Sequence, residues 1–145
     1  EKKFKAEIIQ DKNFILAKPQ TFMNKSGEAV RALKSFYKIK PENIIVIHDD
    51  MDLPIGTIRI SESSSSAGHK GIESIIQNLK TKNFIRIRVG VSNELREKIT
   101  GDKFVLQNFN PQDKKILKNV LPRVQEAFKM LIENEPLEKV QNRFN

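Results

Sequence analysis

The 145 residues carry 26 Lys/Arg against 18 Asp/Glu, a formal charge of +8, with two histidines and no cysteine. A chain of this length is expected to form one domain, residues 1–145, burying roughly two-thirds of the surface its unfolded form exposes. Absence of cysteine excludes a disulfide framework and thiolate metal or redox chemistry, which fits a cytoplasmic setting, and no apolar run approaches the roughly 18 residues of a membrane span.

Residues 4–10 and 14–18 flank the turn-rich Asp11-Lys12-Asn13 and read as a hairpin, which Pro19 ends. A helix is expected to start near Asn24 or Ser26 and to carry Val30, Leu33 and Phe36 or Tyr37 inward. Pro41 closes the connection into Ile44-Ile45-Val46-Ile47, an unbroken β-branched run that reads as a strand buried on both faces, the habit of parallel sheets covered by helices. Residues 57–61 alternate as a short strand after the Pro54-Ile55-Gly56 turn, and a four-serine run leads to a helix with the stripe Ile72, Ile75, Ile76 and Leu79. Residues 84–91 follow as a strand that sets Arg86 and Arg88 on one face, and 92–102 is polar and read as irregular. Residues 104–106 are read as a short element.

Asn110-Pro111-Gln112-Asp113 opens the last long helix, with Asn as N-cap and Pro at the first helical position. Its inward face is expected to include Ile116, Leu117, Val120, Val124, Phe128 and Leu131, and Pro122 to kink or split it near Asn119. Residues 137–144 add a final turn or two. Strands alternating with helices argue for a three-layer α/β single domain, and the opening hairpin makes its twisted sheet mixed.

Charge is uneven along the chain. Residues 1–40 hold ten basic against four acidic side chains, whereas 41–60 hold one against four. An acidic pocket in a basic surface suits a large polyanion held by its backbone and worked on at one end; a lysine-rich solvated surface with no partner explains the same totals.

The acidic cluster is His48-Asp49-Asp50, expected just beyond the carboxyl end of the Ile44 strand, where α/β sheets bind ligands. As a metal site it is weak, because successive strand residues point to opposite faces and at most two of His48, Asp49, Asp50 and Asp52 converge. The magnesium pocket of a phosphotransfer receiver domain is a poorer match, since no later strand ends in Asp. A carboxylate that orients a histidine base fits Asp49 better. His48 points to the other face, whereas His69, on a glycine-flanked loop at a helix start, can approach a ligand.

Four segments, Thr21-Phe22-Met23-Asn24-Lys25-Ser26-Gly27, His48-Asp49-Asp50-Met51-Asp52-Leu53-Pro54-Ile55-Gly56, Gly68-His69-Lys70-Gly71-Ile72 and Phe84-Ile85-Arg86-Ile87-Arg88-Val89-Gly90-Val91, resemble consecutive signatures of bacterial peptidyl-tRNA hydrolase. The resemblance extends to Asn142-Arg143-Phe144 and implies a cytoplasmic, monomeric, metal-independent esterase without cofactor that frees tRNA from peptidyl-tRNA. It implies that Asp49 is the catalytic aspartate holding a general-base histidine, that Asn24 contacts the substrate end, and that Phe22 and Met23 line the same pocket. It implies a substrate rim at Gly68, His69 and Lys70, with Arg88 directed at the tRNA phosphates. For Phe22 and Met23 core packing is the alternative, and for Arg86 and Arg88 a solvated strand face.

Two departures from the family pattern stand out. The family's catalytic histidine lies in a Thr-Arg-His-Asn segment that these residues do not contain, so the chain is expected to be N-terminally incomplete and, by itself, inactive. Lys70 stands where the family has Asn, replacing an amide that donates and accepts by a cation that only donates. A non-catalytic RNA-binding module of the same fold is the alternative reading.

Overall fold

A computed structural model describes residues 2–104 and 108–145. The chain falls into two compact units, one comprising the residues up to Ile45 with Glu62–Ile85 and the other Val46–Ser61 with Arg86–Asn145.

In the first unit, β1 (Ala6–Gln10) and β2 (Ile15–Pro19) form the expected antiparallel hairpin, in register from Ala6↔Pro19 to Gln10↔Ile15. Asp11 N–H donates to the Phe14 carbonyl at 2.9 Å and closes the turn. Alternation sorts the side chains: Ala6 joins Phe4, Ala29 and Leu33 in a core flanked by Ile8, Ala17, Ala32 and Tyr37, while the cross-strand pair Ile9 and Leu16 faces outward.

A 3-10 turn at Met23–Lys25 precedes helix α1 (Ser26–Tyr37), which ends with Lys38 in the left-handed region at φ 54°. Its fully buried stripe is Ser26, Gly27, Ala29 and Leu33; of the residues expected inward, Leu33 is buried, Val30 and Tyr37 are half-buried with Tyr37 packed on the core, and Phe36 is exposed. The exposure of Phe36 has a packing cause. Phe36 lies edge-on to Phe4, 5.1 Å between ring centroids, and under Lys3 Nζ at 4.3 Å, so it covers the core from outside.

Helix α2 (Lys70–Leu79) buries Ile72 and Ile75 as expected, with Ile76 and Leu79 half-buried. Small residues let α1 and α2 approach closely. A Cβ on Gly27 would stand 2.1 Å from the Ser74 carbonyl oxygen, and the Gly27 N–H donates to Ser74 Oγ at 2.9 Å.

In the second unit, β3 (Ile45–Pro54), β4 (Ile58–Glu62) and β5 (Ile85–Ser92) form a sheet in the order β3-β5-β4. Bonds from Ile85 N–H to Ile44 and from Ile55 N–H to Ser92 ascend both strands together, so β3 and β5 are parallel. Bonds from Ser63 N–H to Phe84 and from Gly90 N–H to Thr57 run in opposite senses, so β4 is antiparallel to β5 and the sheet is mixed. Along β4, Asn145 Oδ1 accepts from Ile60 N–H at 2.7 Å and Nδ2 donates to the Ile60 carbonyl at 3.0 Å, standing in for a further strand.

Helix α5 (Pro111–Ile132) buries Asp113, Val120, Val124, Ala127 and Leu131, and α6 (Leu137–Phe144) packs on it with Val140 and Phe144. Ile116, Leu117 and Phe128, expected inside, are half-buried. Pro122 does not split α5. It sits on the exposed face, where its ring displaces one backbone bond that water can replace.

Three further expectations are corrected. β3 is an edge strand among the described residues and Ile47 is 44% exposed, so the Ile44 run is not buried on both faces. β3 also continues through Pro54, so His48, Asp49 and Asp50 lie within the strand rather than beyond it. The stretch 92–102 holds the short helices α3 (Glu94–Lys98) and the start of α4 (Gly101–Phe104), because Asn93 Oδ1 caps α3 by accepting from Arg96 N–H at 3.2 Å. Of the short element expected at 104–106, Phe104 closes α4 and the rest lies outside the described residues.

Candidate active site

The second unit carries the acidic cluster, and alternation along β3 divides it. His48 and Asp50 share a face with Arg86 and Arg88 of neighbouring β5, while Asp49 leaves on the other. Arg86 Nε donates to His48 Nε2 at 3.0 Å, and His48 Nδ1 is 2.7 Å from the Asp49 carbonyl oxygen. A guanidinium only donates, so Nε2 is the acceptor of a neutral ring and the proton sits on Nδ1, donated to Asp49. His48 is thereby committed to the sheet rather than to proton transfer.

Arg88 donates through Nε and Nη2 to Asp50 Oδ2, both at 2.8 Å, and Asp50 Oδ1 accepts from Asp52 N–H at 2.8 Å. Asp50 is 9% exposed and Arg86 2%. Burial lowers the affinity of Arg86 for its proton below the ordinary arginine value, the like charge of Arg88 adds to that, and Asp50 opposes it. The two arginines are therefore not a solvated strand face. They are the cationic part of a largely buried network that Asp50 completes.

The first unit carries the remaining candidates. Gly68 takes φ +85°, a conformation that favours glycine, and turns the serine loop so that His69 caps α2, its Nδ1 accepting from Ile72 N–H at 3.2 Å. Lys70 is exposed at the first position of α2. A Cβ on Gly71 would stand 2.5 Å from Met23 Sδ and 3.0 Å from His69 Cε1, so the Met23 thioether, the His69 ring and the first turn of α2 are brought together. Ser26 Oγ donates to the Met23 carbonyl at 2.8 Å and fixes that turn. Phe22, Met23 and Asn24 are exposed, the first two at 83% and 56%, so the core-packing alternative fails for both. The Met23 thioether beside a loop histidine, with the exposed Phe22 preceding it in the chain, offers apolar, polarisable contact surface.

Among the described residues no three His, Asp or Glu side chains group as a metal site, and no helix is long and apolar enough to cross a membrane.

A family model described as peptidyl-tRNA hydrolase matches residues 1–145. The chain belongs to the peptidyl-tRNA hydrolase family. It is 44% identical over 148 residues to the peptidyl-tRNA hydrolase of Metamycoplasma arthritidis, covering all of this chain and 77% of that one. To the peptidyl-tRNA hydrolase of Clostridium perfringens it is 42% identical over 138 residues, covering 95% and 71%. The crystal structure of peptidyl-tRNA hydrolase from Acinetobacter baumannii superposes with a TM-score of 0.82 at 25% identity over 98% of this chain and 73% of that one. A peptidyl-tRNA hydrolase structure with n-propanol gives 0.83 at the same identity and coverage. The mixed α/β fold with a sheet flanked by helices is thus that of peptidyl-tRNA hydrolase structures.

Within this peptidyl-tRNA hydrolase fold, sequence reasoning singled out Asp49 and Arg88 but missed the pairing of His48 with Arg86 and of Asp50 with Arg88. The available signal was the matched spacing: polar residues two apart in each of two strands share a face, so 48 and 50 were candidates to meet 86 and 88.

Proposed function

We propose that this chain belongs to a metal-independent, cofactor-free esterase that hydrolyses the bond between peptide and tRNA in peptidyl-tRNA, acting in the cytoplasm as a monomer with residues 1–145 as one domain, and that it carries the part of the catalytic machinery that includes Asp49 but not the general-base histidine. The observation that carries this reading is the family match across all 145 residues, joined to relatives at 42% and 44% identity. The basic balance of +8 supports a polyanionic substrate.

In this reading Asp49 holds a general-base histidine in its basic tautomer and stabilises the cation formed when that histidine takes a proton from the attacking water. Asn24 hydrogen-bonds the substrate end, Phe22 and Met23 contact its apolar and aromatic parts, and Gly68, His69 and Lys70 form a rim. Arginine has five N–H donors; Asp50 engages those on Nε and Nη2, and the rest of the Arg88 guanidinium serves the phosphate backbone. Residues 1–145 contain no Thr-Arg-His-Asn segment, and this stretch assayed by itself is expected to lack turnover.

The test is hydrolysis of N-blocked aminoacyl-tRNA by the full-length gene product. Asp49→Asn is expected to lower kcat far more than it weakens tRNA binding, because the amide cannot stabilise the imidazolium. Equal effects on both would remove the orienting role. Turnover by residues 1–145 that survives His69→Ala would refute the inactivity of this stretch. A non-catalytic RNA-binding module is favoured only by Lys70, a cation in place of the family's amide, and an inactive full-length protein that retains tRNA affinity would select it.

A further inference from the structure

Arg86 is the most deeply buried charged residue among those described, whereas the other side chains that its strand buries, Ile87 and Val91, are aliphatic. A buried arginine is seldom the most stable choice: well-packed apolar residues in place of buried ion pairs are often neutral or stabilising. Its geometry shows what it contributes. Arg86 Nε holds His48 Nε2 at 3.0 Å, and the opposite ring nitrogen holds the Asp49 backbone carbonyl at 2.7 Å. One residue further, Asp50 is held through both oxygens, by Arg88 and by Asp52 N–H. Both neighbours of Asp49, and its own carbonyl, are thus tied down, while alternation sends its carboxylate out on the other face.

We propose that Arg86 is a positioning residue that acts through His48 to fix the Asp49 peptide, so that the Asp49 carboxylate keeps one direction. The inference rests on the reading that Asp49 orients the histidine base. Its logic is that of a supporting shell: the tautomer of His48 is set by Arg86, the Nδ1 proton left by that tautomer goes to the peptide of the working residue, and a rigid edge strand replaces a flexible one. Loss of this support displaces Asp49 without removing any group that meets substrate, and displacements of about 1 Å at such a site cost up to about a hundredfold in rate.

Two measurements test it. Proton–nitrogen NMR of wild-type imidazoles near neutral pH is expected to show His48 as the neutral Nδ1–H tautomer; an Nε2–H tautomer or an imidazolium would overturn the network outright, whatever any variant does. With N-blocked aminoacyl-tRNA and the full-length gene product, Arg86→Gln is expected to lower kcat by about tenfold to a hundredfold with little change in KM. Arg86→Lys, which keeps a donor, should recover part of the loss, and His48→Ala should match Arg86→Gln without adding to it in the double variant. A raised KM at unchanged kcat, or additive losses, would overturn the positioning role. Wild-type protein without turnover would overturn the functional reading, and this inference with it, whereas turnover that Arg86→Gln leaves intact would overturn the inference alone.

Discussion

Replacing Asp50 by alanine tests whether the charges in this sheet form a network or merely a set of neighbours. Asp50 accepts three donors within 2.8 Å and is 9% exposed, and the Arg88 side chain opposite it is 20% exposed. In Asp50→Ala, the Asp52 N–H loses its partner and Arg88 loses its counter-ion beside a second buried guanidinium, Arg86, whose charge Asp50 also favours. Removing one partner of a buried ion pair costs about 3–5 kcal/mol, of which an orphaned backbone donor accounts for roughly 1 kcal/mol or more. The modest exposure of Arg88 admits some water, so the lower end, about 3 kcal/mol, is expected. Urea unfolding of residues 1–145 followed by circular dichroism reads this as a fall in midpoint at unchanged slope. In the double variant Asp50→Ala with Arg88→Leu much of the loss should return, because the stranded charge is gone. A loss below about 1 kcal/mol for the single variant, or no recovery in the double, would show that the pair behaves as a surface ion pair and refute the reasoning.

Gly27→Ala brings a Cβ to 2.1 Å from the Ser74 backbone oxygen, which cannot move aside, so α1 and α2 must separate; a loss of about 3 kcal/mol or failure to fold is expected in thermal melts. Lys80→Gly relieves a left-handed C-cap at φ 57° on α2 and is expected to stabilise by about 1 kcal/mol, a rise of a few degrees in Tm. Lys70→Asn removes a cation from the positive end of α2 and should stabilise it by about 0.3–1 kcal/mol, falling as salt is added. In the full-length protein the same change tests whether Lys70 impairs chemistry: a higher kcat supports the proposed rim, and an unchanged one removes Lys70 from it.

Legibility in the sequence followed the range of the forces involved. The hairpin, the capped start of α5 and the Ile72–Ile75 stripe rest on contacts between residues a few positions apart, and they were readable because propensity, periodicity and capping are local. Strand β3 was read too short because a run of acids has low strand propensity, and only β5, with Arg86 and Arg88 on the matching face, makes extension to Pro54 favourable. The exposed Ile47 misled for the opposite reason: an apolar run reports what a strand can bury, and the neighbours present decide what it does bury.

The sequence by itself determined the α/β class, the family motifs and the opposite facing of His48 and Asp49, since alternation along a strand follows from backbone geometry alone. Tertiary structure decided which charges meet. That Arg86 reaches His48, and Arg88 reaches Asp50, across 38 residues of chain depends on the register of two parallel strands, which no local pattern specifies. The same register buries Arg86 against His48 and leaves Arg88 half-buried, paired with Asp50.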